Sequence, residues 1–456
     1  MLTQIHAFIK KLIIILFIVF SSNNVVFGQS RFRFPNENRY SQKLSFQLIN
    51  NIIVIPVEVN NTKLSFILDT GVHKTILFSL SEKDSLGLKN VKKISLQGLG
   101  KGKAIDALIS QKNELKVGTL ESNNETIYVI LKDQFELSGK MGTTIHGIIG
   151  YSFFKDVIAK INYNTKKITL YNPKNYKYKK CKKCEKFPIE FYRNKPYIDA
   201  AVQLDTIGNE MTPVKMLIDT GGSDALWLFE RSHEKIKTPL RHYNDILGEG
   251  LSGTIYGNRA RIPKAQIGTF EIVQPTVSFL DTISTLHARK FKKRNGSIGS
   301  NILKRFKVWI DYPNKKLILK KCAALTGGFE YNMSGLDIVY NGEELVKELD
   351  SEKVITYSGQ NTSLENNNNT ITFSASYRFK FKPSYRIAKV LKNSPAAQAG
   401  IYPDDILLKI NGITVHELSI GELINKFQEK NGKKIRLTIR RGGEILKFHF
   451  KLKKRV

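Results

Sequence analysis

Cysteine is scarce in this chain: 456 residues contain only three, at Cys181, Cys184 and Cys322. A structural zinc site would need further ligands, and neither a histidine pair nor a second cysteine pair lies near Cys181 and Cys184 in the sequence. A thioredoxin-like redox role also lacks the βαβ context that it requires. An exported chain permits a disulfide, for example between residues 181–184 and Cys322 with one thiol left over, and the sequence leaves the pairing open.

Long apolar runs are equally rare, and the clearest lies near the N-terminus. Residues 12–20 (LIIILFIVF) follow Lys10 and Lys11 and precede polar residues 21–24. Because a run of nine apolar residues is too short to span a bilayer, the pattern predicts a secretory signal peptide over residues 1–28. We expect cleavage after Gly28 and export to the periplasm, the cell envelope or the medium. An uncleaved anchor is the alternative, and no later segment is long and apolar enough to span a membrane.

Acidic residues are few relative to basic ones. The 40 Asp and Glu residues stand against 72 Lys and Arg residues, which gives a formal net charge of +32. Basic runs at 177–183, 289–294 and 451–455 could attract phosphates or anionic lipids. A lysine-rich, solvated surface explains this charge more simply, so we expect no specific nucleic-acid partner. The apolar content of 41% fits globular β-rich domains, and the length is ample for three domain cores.

Two copies of the tripeptide Asp-Thr-Gly, each at the end of an apolar run, are the most informative feature present. Residues 64–71 read LSFILDTG, and residues 214–221 read VKMLIDTG. Burial directly after an apolar strand raises the pKa of a carboxyl group, so each Asp needs a compensating partner. Two matching copies suggest that Asp69 and Asp219 are partners of each other.

The duplication extends well beyond these tripeptides. Residues 146–154 (HGIIGYSFF) follow the first copy, and residues 295–303 (NGSIGSNIL) follow the second at a nearly constant spacing. The closing segments 161–168 and 310–317 match as well. A period this long is too large for a solenoid repeat. It predicts two homologous domains fused in register, which can pack about a pseudo-twofold axis as a homodimer would.

In these motifs the chain resembles the retropepsin-like and pepsin-like aspartic proteases, over about residues 40–320. Their pattern is an apolar run, then Asp-Thr-Gly, then a later apolar-apolar-Gly in each lobe. The matching pieces here are residues 69–71 with 148–150, and residues 219–221 with 297–299. The resemblance implies a mainly β fold with two homologous β-barrel lobes, residues 35–178 and 188–325. It also implies a monomer whose active site is an intramolecular pseudo-dimer.

The resemblance further implies an aspartic-type endopeptidase that acts on protein or peptide substrates. Asp69 and Asp219 would be catalytic: two facing carboxyl groups cannot both ionise, so they share one proton and act together on a water between them. The threonine hydroxyls would point across the interface, and the glycines would let backbone N–H groups approach the Asp oxygens. No metal or cofactor is implied. The supporting residues are Thr70, Gly71, Thr220 and Gly221.

Two glycine-rich stretches lie where the family places its flaps. They read QGLGKG over residues 97–102 and LGEGLSG over residues 247–253. Glycines flanked by apolar or alternating residues are typical of a mobile hairpin tip. Ordinary surface hairpins are the alternative, since glycine turns are common. The predicted flap residues are Gly98, Leu99, Gly100, Gly248 and Gly250.

The residues after the first tripeptide depart from the family pattern. Val72 stands where the family has a small residue such as Ala or Ser, and it has no hydroxyl with which to bond an Asp oxygen. We expect His73 to be a surface or turn histidine and not a proton carrier. Residues 221–225 (GGSDA) approach a nucleophile elbow but lack its final glycine, so we reject Ser223 as a nucleophile.

Residues 330–456 are predicted to form a separate module. Residues 385–412 read as a strand, a short Ser-Pro-Ala-Ala helix, a second strand and an Asn-Gly turn. Ser419 and Glu422 have the spacing of a capping box, which predicts a helix to about Gln428. Strands over 435–439 and 446–450 follow. In this order, residues 385–450 resemble a PDZ domain of the bacterial, permuted type.

The PDZ resemblance implies a peptide ligand, added as a strand beside an edge that begins at residues 335–339. A polar stretch over 351–376 cannot bury a core and predicts a disordered insertion. A packing module that orients or shields the protease lobes is the alternative. For the whole chain, two hypotheses contrast with the peptidase. One is a catalytically weak or inactive peptide-binding scaffold, and the other is a basic protein that binds an envelope surface or nucleic acid.

Overall fold

The computed structural model describes residues 31–36, 40–78, 86–96, 105–130, 137–250, 253–349 and 377–456. The predicted signal peptide, the first predicted flap and the polar stretch 351–376 lie outside these residues. In the described part of the chain, strands predominate and the helices are short, so the predicted mainly β fold is confirmed. Within that part, no helix combines the length and the apolar character needed to cross a membrane.

The first lobe is built on an eight-stranded sheet with the order β2-β3-β4-β9-β5-β8-β7-β6. Its central strands β4 and β9 run parallel, with Leu68 opposite Ile149. Asp69 therefore leaves a buried strand directly beside the Ile-Gly motif. The elements of this lobe are β1 (Ser41–Ser45), β2 (Gln47–Ile49), β3 (Ile52–Val59), β4 (Thr62–Leu68), β5 (Thr75–Leu77), β6 (Lys92–Leu96), β7 (Ile105–Val117), β8 (Leu120–Ile130), α1 (Leu137–Met141), β9 (Gly147–Ile149), α2 (Tyr151–Phe154), β10 (Ile158–Asn162) and β11 (Lys167–Tyr171).

The second lobe repeats this plan in a larger sheet, with the order β17-β18-β21-β16-β22-β15-β14-β19-β20 and β13 paired with β14. Strands β15 and β22 run parallel, and Asp219 lies opposite Gly299. The elements are β12 (Cys184–Pro188), β13 (Glu190–Tyr192), β14 (Lys195–Gln203), β15 (Thr212–Asp219), β16 (Leu226–Phe229), β17 (Tyr243–Gly250), β18 (Gly253–Arg261), β19 (Lys264–Ile267), β20 (Phe270–Val273), β21 (Thr276–Leu280), β22 (Arg294–Gly299), α3 (Ser300–Leu303), β23 (Phe306–Asp311) and β24 (Lys316–Lys321).

A third sheet joins the two lobes, with the order β1-β11-β10-β23-β24-β12. The closing segments that match in sequence are the ones that pair, since β10 and β23 are antiparallel neighbours with Lys160 opposite Trp309. One cluster of buried apolar side chains, including Phe66 and Phe306, runs through both lobes. The lobes therefore share a continuous core, and this fixes the relative position of their Asp-Thr-Gly loops.

The C-terminal module has its own sheet, in the order β25-β26-β27-β29-β30, and its own core around Leu423 and Phe427. The predicted capping box is confirmed, because Ser419 Oγ accepts from the Glu422 N–H and the Glu422 carboxylate accepts from the Ser419 N–H. The helix ends at Lys426, shortly before the predicted end. The elements are β25 (Leu336–Leu349), β26 (Tyr377–Val390), α4 (Pro395–Gln398), β27 (Ile406–Ile410), β28 (Ile413–Thr414), α5 (Ile420–Lys426), β29 (Lys434–Arg441) and β30 (Glu444–Lys451).

Helix α1 of the first lobe lies against β25 and α5 of this module. A Cβ atom built on Gly139 would lie 3.6 Å from Cβ of Val339, and one on Gly142 would lie 2.8 Å from Cγ2 of Ile420. β25 is the edge strand at which the PDZ resemblance places a peptide. The chain's own helix therefore packs beside the predicted peptide-binding edge.

Two of the three cysteines form a disulfide, and the third is a free thiol. Cys181 and Cys184 form a disulfide in the connection between the lobes, and Cys322 is free and partly buried. A bridge to Cys322, one of the pairings that the sequence left open, is therefore not formed.

Candidate active site

The two Asp-Thr-Gly loops meet where the lobes face each other. A Cβ atom built on Gly71 would lie 3.1 Å from Oδ1 of Asp69 and 3.2 Å from Oδ1 of Asp219, so both carboxyl groups face one point. The two side chains are close enough for each to shift the pKa of the other. Each lies deep in surrounding protein, yet both residues keep part of their surface accessible. The structure thus brings together the two acids that the sequence motifs mark.

Burial raises the pKa of both carboxyl groups. The pKa of Asp69 rises to about 7, first because of burial and then because of the charge of Asp219, while the Gly71 N–H, 2.6 Å from Oδ1, partly offsets the rise. The pKa of Asp219 is also raised by burial, against the opposing effect of the nearby cations Arg294 and Lys195. A coupled pair of this kind holds one proton between its members over a wide pH range.

The threonines of the two tripeptides lock the loops together. The Thr70 hydroxyl donates to the Ile218 carbonyl oxygen at 2.7 Å, and the Thr220 hydroxyl donates to the Leu68 carbonyl oxygen at 2.7 Å. The backbone N–H of each threonine also donates to the hydroxyl oxygen of the other. Both side chains are fully buried. This reciprocal set of bonds sets the separation of the strand ends that carry the two acids.

The glycines of the two Ile-Gly motifs, Gly150 and Gly299, are needed because another backbone segment passes very close to each of them. A Cβ atom at Gly150 would collide with the carbonyl oxygens of Val72 and Asp69, and one at Gly299 would collide with the carbonyl oxygen of Asp224. Only glycine lets each Ile-Gly strand pass this close to the neighbouring Asp-Thr-Gly loop.

The two glycines of the tripeptides themselves are not equivalent. Gly71 donates its N–H to its own loop's Asp69, as the sequence motif implies. A Cβ atom at Gly221 would collide with the carboxyl group of Asp69, so Gly221 lies directly against the opposite acid. The backbone N–H that acts on Asp219 is therefore that of Gly222, one residue further along.

A buried ion cluster ties the β17–β18 hairpin to the second active-site loop. Arg259 on β18 contacts Asp224, which follows that loop, at 3.0 Å and Asp245 on β17 at 2.7 Å. Asp224 also accepts from the Trp227 indole N–H and from the Ser278 hydroxyl, each at 2.8 Å. The cluster fixes the base of the hairpin beside the loop that carries Asp219.

One of the two predicted flaps falls on a hairpin of the described residues. Gly248 and Gly250 lie near the end of the β17–β18 hairpin, where Gly250 pairs with Gly253. Residues 98–100, the first predicted flap, lie outside the described residues, between the paired strands β6 and β7. The assignment of both segments as flaps stays a prediction.

Two cations that the sequence motifs do not mark lie near the acids. Arg294 is buried and donates to the Gly296 carbonyl oxygen at 3.2 Å and to Ser297 Oγ at 2.8 Å. Lys195 is half-buried at the start of β14, and its charge acts on both Asp69 and Asp219. The sequence alone does not reveal that Lys195 lies near the two acids, because the strand register that places it there depends on the tertiary fold.

His73, two residues after the first Asp-Thr-Gly loop, is close enough to Lys195 to be affected by its charge. Its pKa is lowered to about 4, first by partial desolvation and then by the positive charges of Lys195, Lys74 and Arg193. The imidazole is therefore neutral at neutral pH. It is one member of a locally basic group of side chains around the first active-site loop.

The C-terminal module also borders the second active-site loop. A cavity of about 640 Å³ is lined by Ser223 and Asp224, which follow that loop, by Leu336 of β25 and by Ile424 of α5. Among the described residues, no three His, Cys, Asp or Glu side chains cluster as a metal site would require.

Comparison with known proteins supports two kinds of domain. The aspartyl protease family model matches residues 55–153 and again residues 203–302, and the PDZ domain model matches residues 386–441. The first pair of matches contains both Asp-Thr-Gly loops and both Ile-Gly motifs.

The curated relatives match over a short segment in the PDZ region. A probable CtpA-like serine protease of Staphylococcus saprophyticus is 39% identical over 59 residues, which are 13% of this chain and 12% of that protein. The carboxy-terminal processing protease CtpA of Bacillus subtilis is 37% identical over 57 residues, 12% of either chain. The chain thus spans about an eighth of the length of these relatives.

Among solved structures, the aspartic proteinase from Irpex lacteus aligns over 63% of this chain and 99% of its own, with 13% identity and a TM-score of 0.42. The sequence-family matches place one aspartyl protease domain in each lobe and a PDZ domain in the C-terminal module. The chain is therefore a two-lobe member of the aspartyl protease family that carries a C-terminal PDZ domain.

Proposed function

We propose that this protein is an exported aspartic endopeptidase in which Asp69 and Asp219 hydrolyse peptide bonds as a single catalytic pair. The observation that supports this most strongly is the convergence of two carboxyl groups, one from each lobe, with raised pKa values. Both acids come from one chain, so the proposed active site needs no second subunit.

The mechanism follows from the shared proton. The ionised member of the pair accepts a proton from a water held between the carboxyl groups, and the resulting nucleophile attacks the scissile carbonyl carbon. The protonated member donates to the carbonyl oxygen and offsets the charge that develops there. The pair then transfers a proton to the amide nitrogen, the C–N bond breaks and the amine leaves, while a hydroxyl of the tetrahedral intermediate returns its proton to the pair, which again holds one proton. We assign these roles to the pair, because coupled acids do not titrate individually.

Export is part of the proposal and rests on the sequence of residues 1–28. It is tested by cell fractionation and by N-terminal sequencing of the mature protein, which we expect to begin at Gln29. A chain that stays cytoplasmic with residues 1–28 intact would contradict export and leave the peptidase proposal untouched.

The PDZ domain is proposed to bind peptide segments of substrates or partners. Helix α1 packs beside its edge strand, so a peptide that adds to β25 has to compete with α1 for that space. The alternative is that the protease lobes are active and the PDZ domain only orients neighbouring elements. Peptide binding to the full chain by calorimetry distinguishes the two.

The peptidase proposal is tested with casein and a peptide library across pH. Wild type is compared with Asp69→Ala and Asp219→Ala, and we expect cleavage by wild type alone. Peptide binding without cleavage by the wild type would support the scaffold hypothesis. Binding to polyanions that falls steeply with salt would support the basic surface hypothesis.

A further inference from the structure

Strand register places Lys195 on the same side of the sheet as a proposed catalytic acid. In the antiparallel pair β14–β15, Tyr197 lies opposite Leu217. The same register, continued to the end of β15, sets Lys195 opposite Asp219. Residues opposite each other in antiparallel strands direct their side chains to one face, with Cβ atoms about 5 Å apart. The charge of Lys195 accordingly acts on both acids of the pair.

The first lobe has a different residue at the equivalent position. Val54 lies opposite Ile67 in the pair β3–β4, so the same continuation sets Ile52 opposite Asp69. Ile52 follows a two-residue turn whose residues both have positive φ, and so does Lys195. The two lobes thus present one apolar and one basic side chain at symmetry-related places beside the two acids.

Lys195 differs from Arg294 in its exposure. Lys195 is partly buried and keeps some accessible surface, whereas Arg294 is buried and donates to the protein's own Gly296 and Ser297. Among the carboxyl groups of the described residues, those of Asp69 and Asp219 act on Lys195 through their charge.

The surroundings of Lys195 carry excess positive charge. Arg193 and Lys74 act electrostatically on the same side chain, His73, as Lys195 does, while the proton-sharing acids supply one negative charge. A second carboxylate brought by a substrate would therefore meet net positive charge beside the partly buried Lys195, where a charge-assisted hydrogen bond is stronger than in bulk water.

We propose that Lys195 forms a basic subsite that binds the carboxylate of an Asp or Glu side chain close to the scissile bond. Ile52 forms the symmetry-related apolar subsite on the other side. The preferred substrates are then peptides with an acidic residue on one side of the cleaved bond and an apolar residue on the other. This inference rests on the proposed peptidase function and adds the class of substrate.

The test is a cleavage-site profile of a proteome-derived peptide library with wild type, Lys195→Met and Lys195→Arg. We expect Asp and Glu to be enriched at one fixed position within about two residues of the cut, because a side chain opposite Asp219 reaches no further. The enrichment should persist in Lys195→Arg and disappear in Lys195→Met. Lys63→Met, an exposed position on β4, is the matched control and should keep the wild-type profile.

A matched pair of peptides that differ only by Glu or Gln at that position gives the quantitative readout. We expect the ratio of kcat/KM for Glu over Gln to fall at least about tenfold in Lys195→Met. If Lys195 only shifts the pKa values of Asp69 and Asp219, Lys195→Met would slow the cleavage of both peptides equally and shift the pH profile. That result would overturn the subsite proposal.

The two proposals fail in different ways. Cleavage by the wild type without an acidic preference, or an unchanged preference in Lys195→Met, overturns the basic subsite and leaves the peptidase standing. A library left uncut by wild type and by Asp69→Asn alike overturns the peptidase, and the subsite with it.

Discussion

Thr70 and Thr220 exchange hydrogen bonds across the two lobes: the backbone N–H of each donates to the hydroxyl oxygen of the other, at 3.1 and 3.0 Å. Each hydroxyl then donates to a strand carbonyl of the opposite lobe. The lobes are thus joined by buried polar groups directly beneath the proposed catalytic pair. Stability and activity should therefore depend on the same few bonds.

Removal of one hydroxyl should destabilise the whole protease body. Thr70→Val keeps the shape of the side chain but leaves the Ile218 carbonyl and the Thr220 N–H without partners, which should cost about 3 kcal/mol. Thr70→Ser restores the donor and should recover most of that loss. Urea unfolding of the three proteins measures the difference, and a Thr70→Val variant as stable as wild type would show that these bonds contribute little.

The tandem motifs predict much of this site because each is local in sequence. The strand-Asp-Thr-Gly and Ile-Gly segments are required by local geometry. For example, only glycine fits at position 150, where a Cβ atom would collide with carbonyl oxygens of the first loop. The capping box at Ser419 is local in the same sense. Such features can be predicted from the sequence because residues close to each other in the chain determine them.

Other features depend on contacts that sequence patterns do not encode. The register of β14 against β15, continued beyond Tyr197, is what sets Lys195 opposite Asp219, and Arg259 joins a hairpin to a residue 35 positions away. The packing of α1 beside β25 is a contact between separate domains. The Cys181–Cys184 bridge could not be chosen over its alternatives, because pairing depends on which cysteines the fold brings together.

Gly221 and Gly71 should respond differently to the same substitution. A Cβ atom at Gly221 would collide with the Asp69 carboxyl group, whereas one at Gly71 would have contacts of 3.1 and 3.2 Å to the two Asp side chains. Gly221→Ala should therefore lower kcat/KM by about 10²-fold or more by displacing an acid, with a smaller effect for Gly71→Ala. Steady-state kinetics with one peptide substrate compares them, and equal losses would argue against this geometry.

Folding stability should fall as pH rises through the titration of the pair. An unfolded Asp releases its proton near pH 4, whereas folded Asp69 holds a proton up to about pH 7. Between these values the folded state binds more protons than the unfolded state, so each step up in pH favours unfolding.

Asp69→Asn removes this titration and isolates its effect. The variant should come close to wild type at pH 3.5, where Asp69 is mostly protonated in both states, and should exceed its stability at pH 7.5. Chemical unfolding of both proteins at the two pH values measures the difference. A variant that is less stable than wild type at pH 7.5 would contradict a raised Asp69 pKa.

Arg259 should be important for stability because it is buried and neutralises two partly buried acids. Arg259→Met leaves Asp224 and Asp245 close together without their cation, which should cost about 3–5 kcal/mol. Arg259→Met combined with Asp245→Asn should recover part of the loss, since one of the unpaired charges is then removed. Thermal and urea unfolding test both variants, and a neutral Arg259→Met would show that the cluster is not a structural anchor.

Asp69 and Asp219, as proposed, act as one catalytic pair with a shared proton. This is tested by measuring kcat/KM for a single peptide with wild type, Asp69→Asn, Asp219→Asn and the double variant. Each single substitution should lower kcat/KM by about 10³-fold or more, and the double variant should be no worse than either, because the two acids work as a unit. Substantial activity in either single variant, or losses that add in the double variant, would contradict the account.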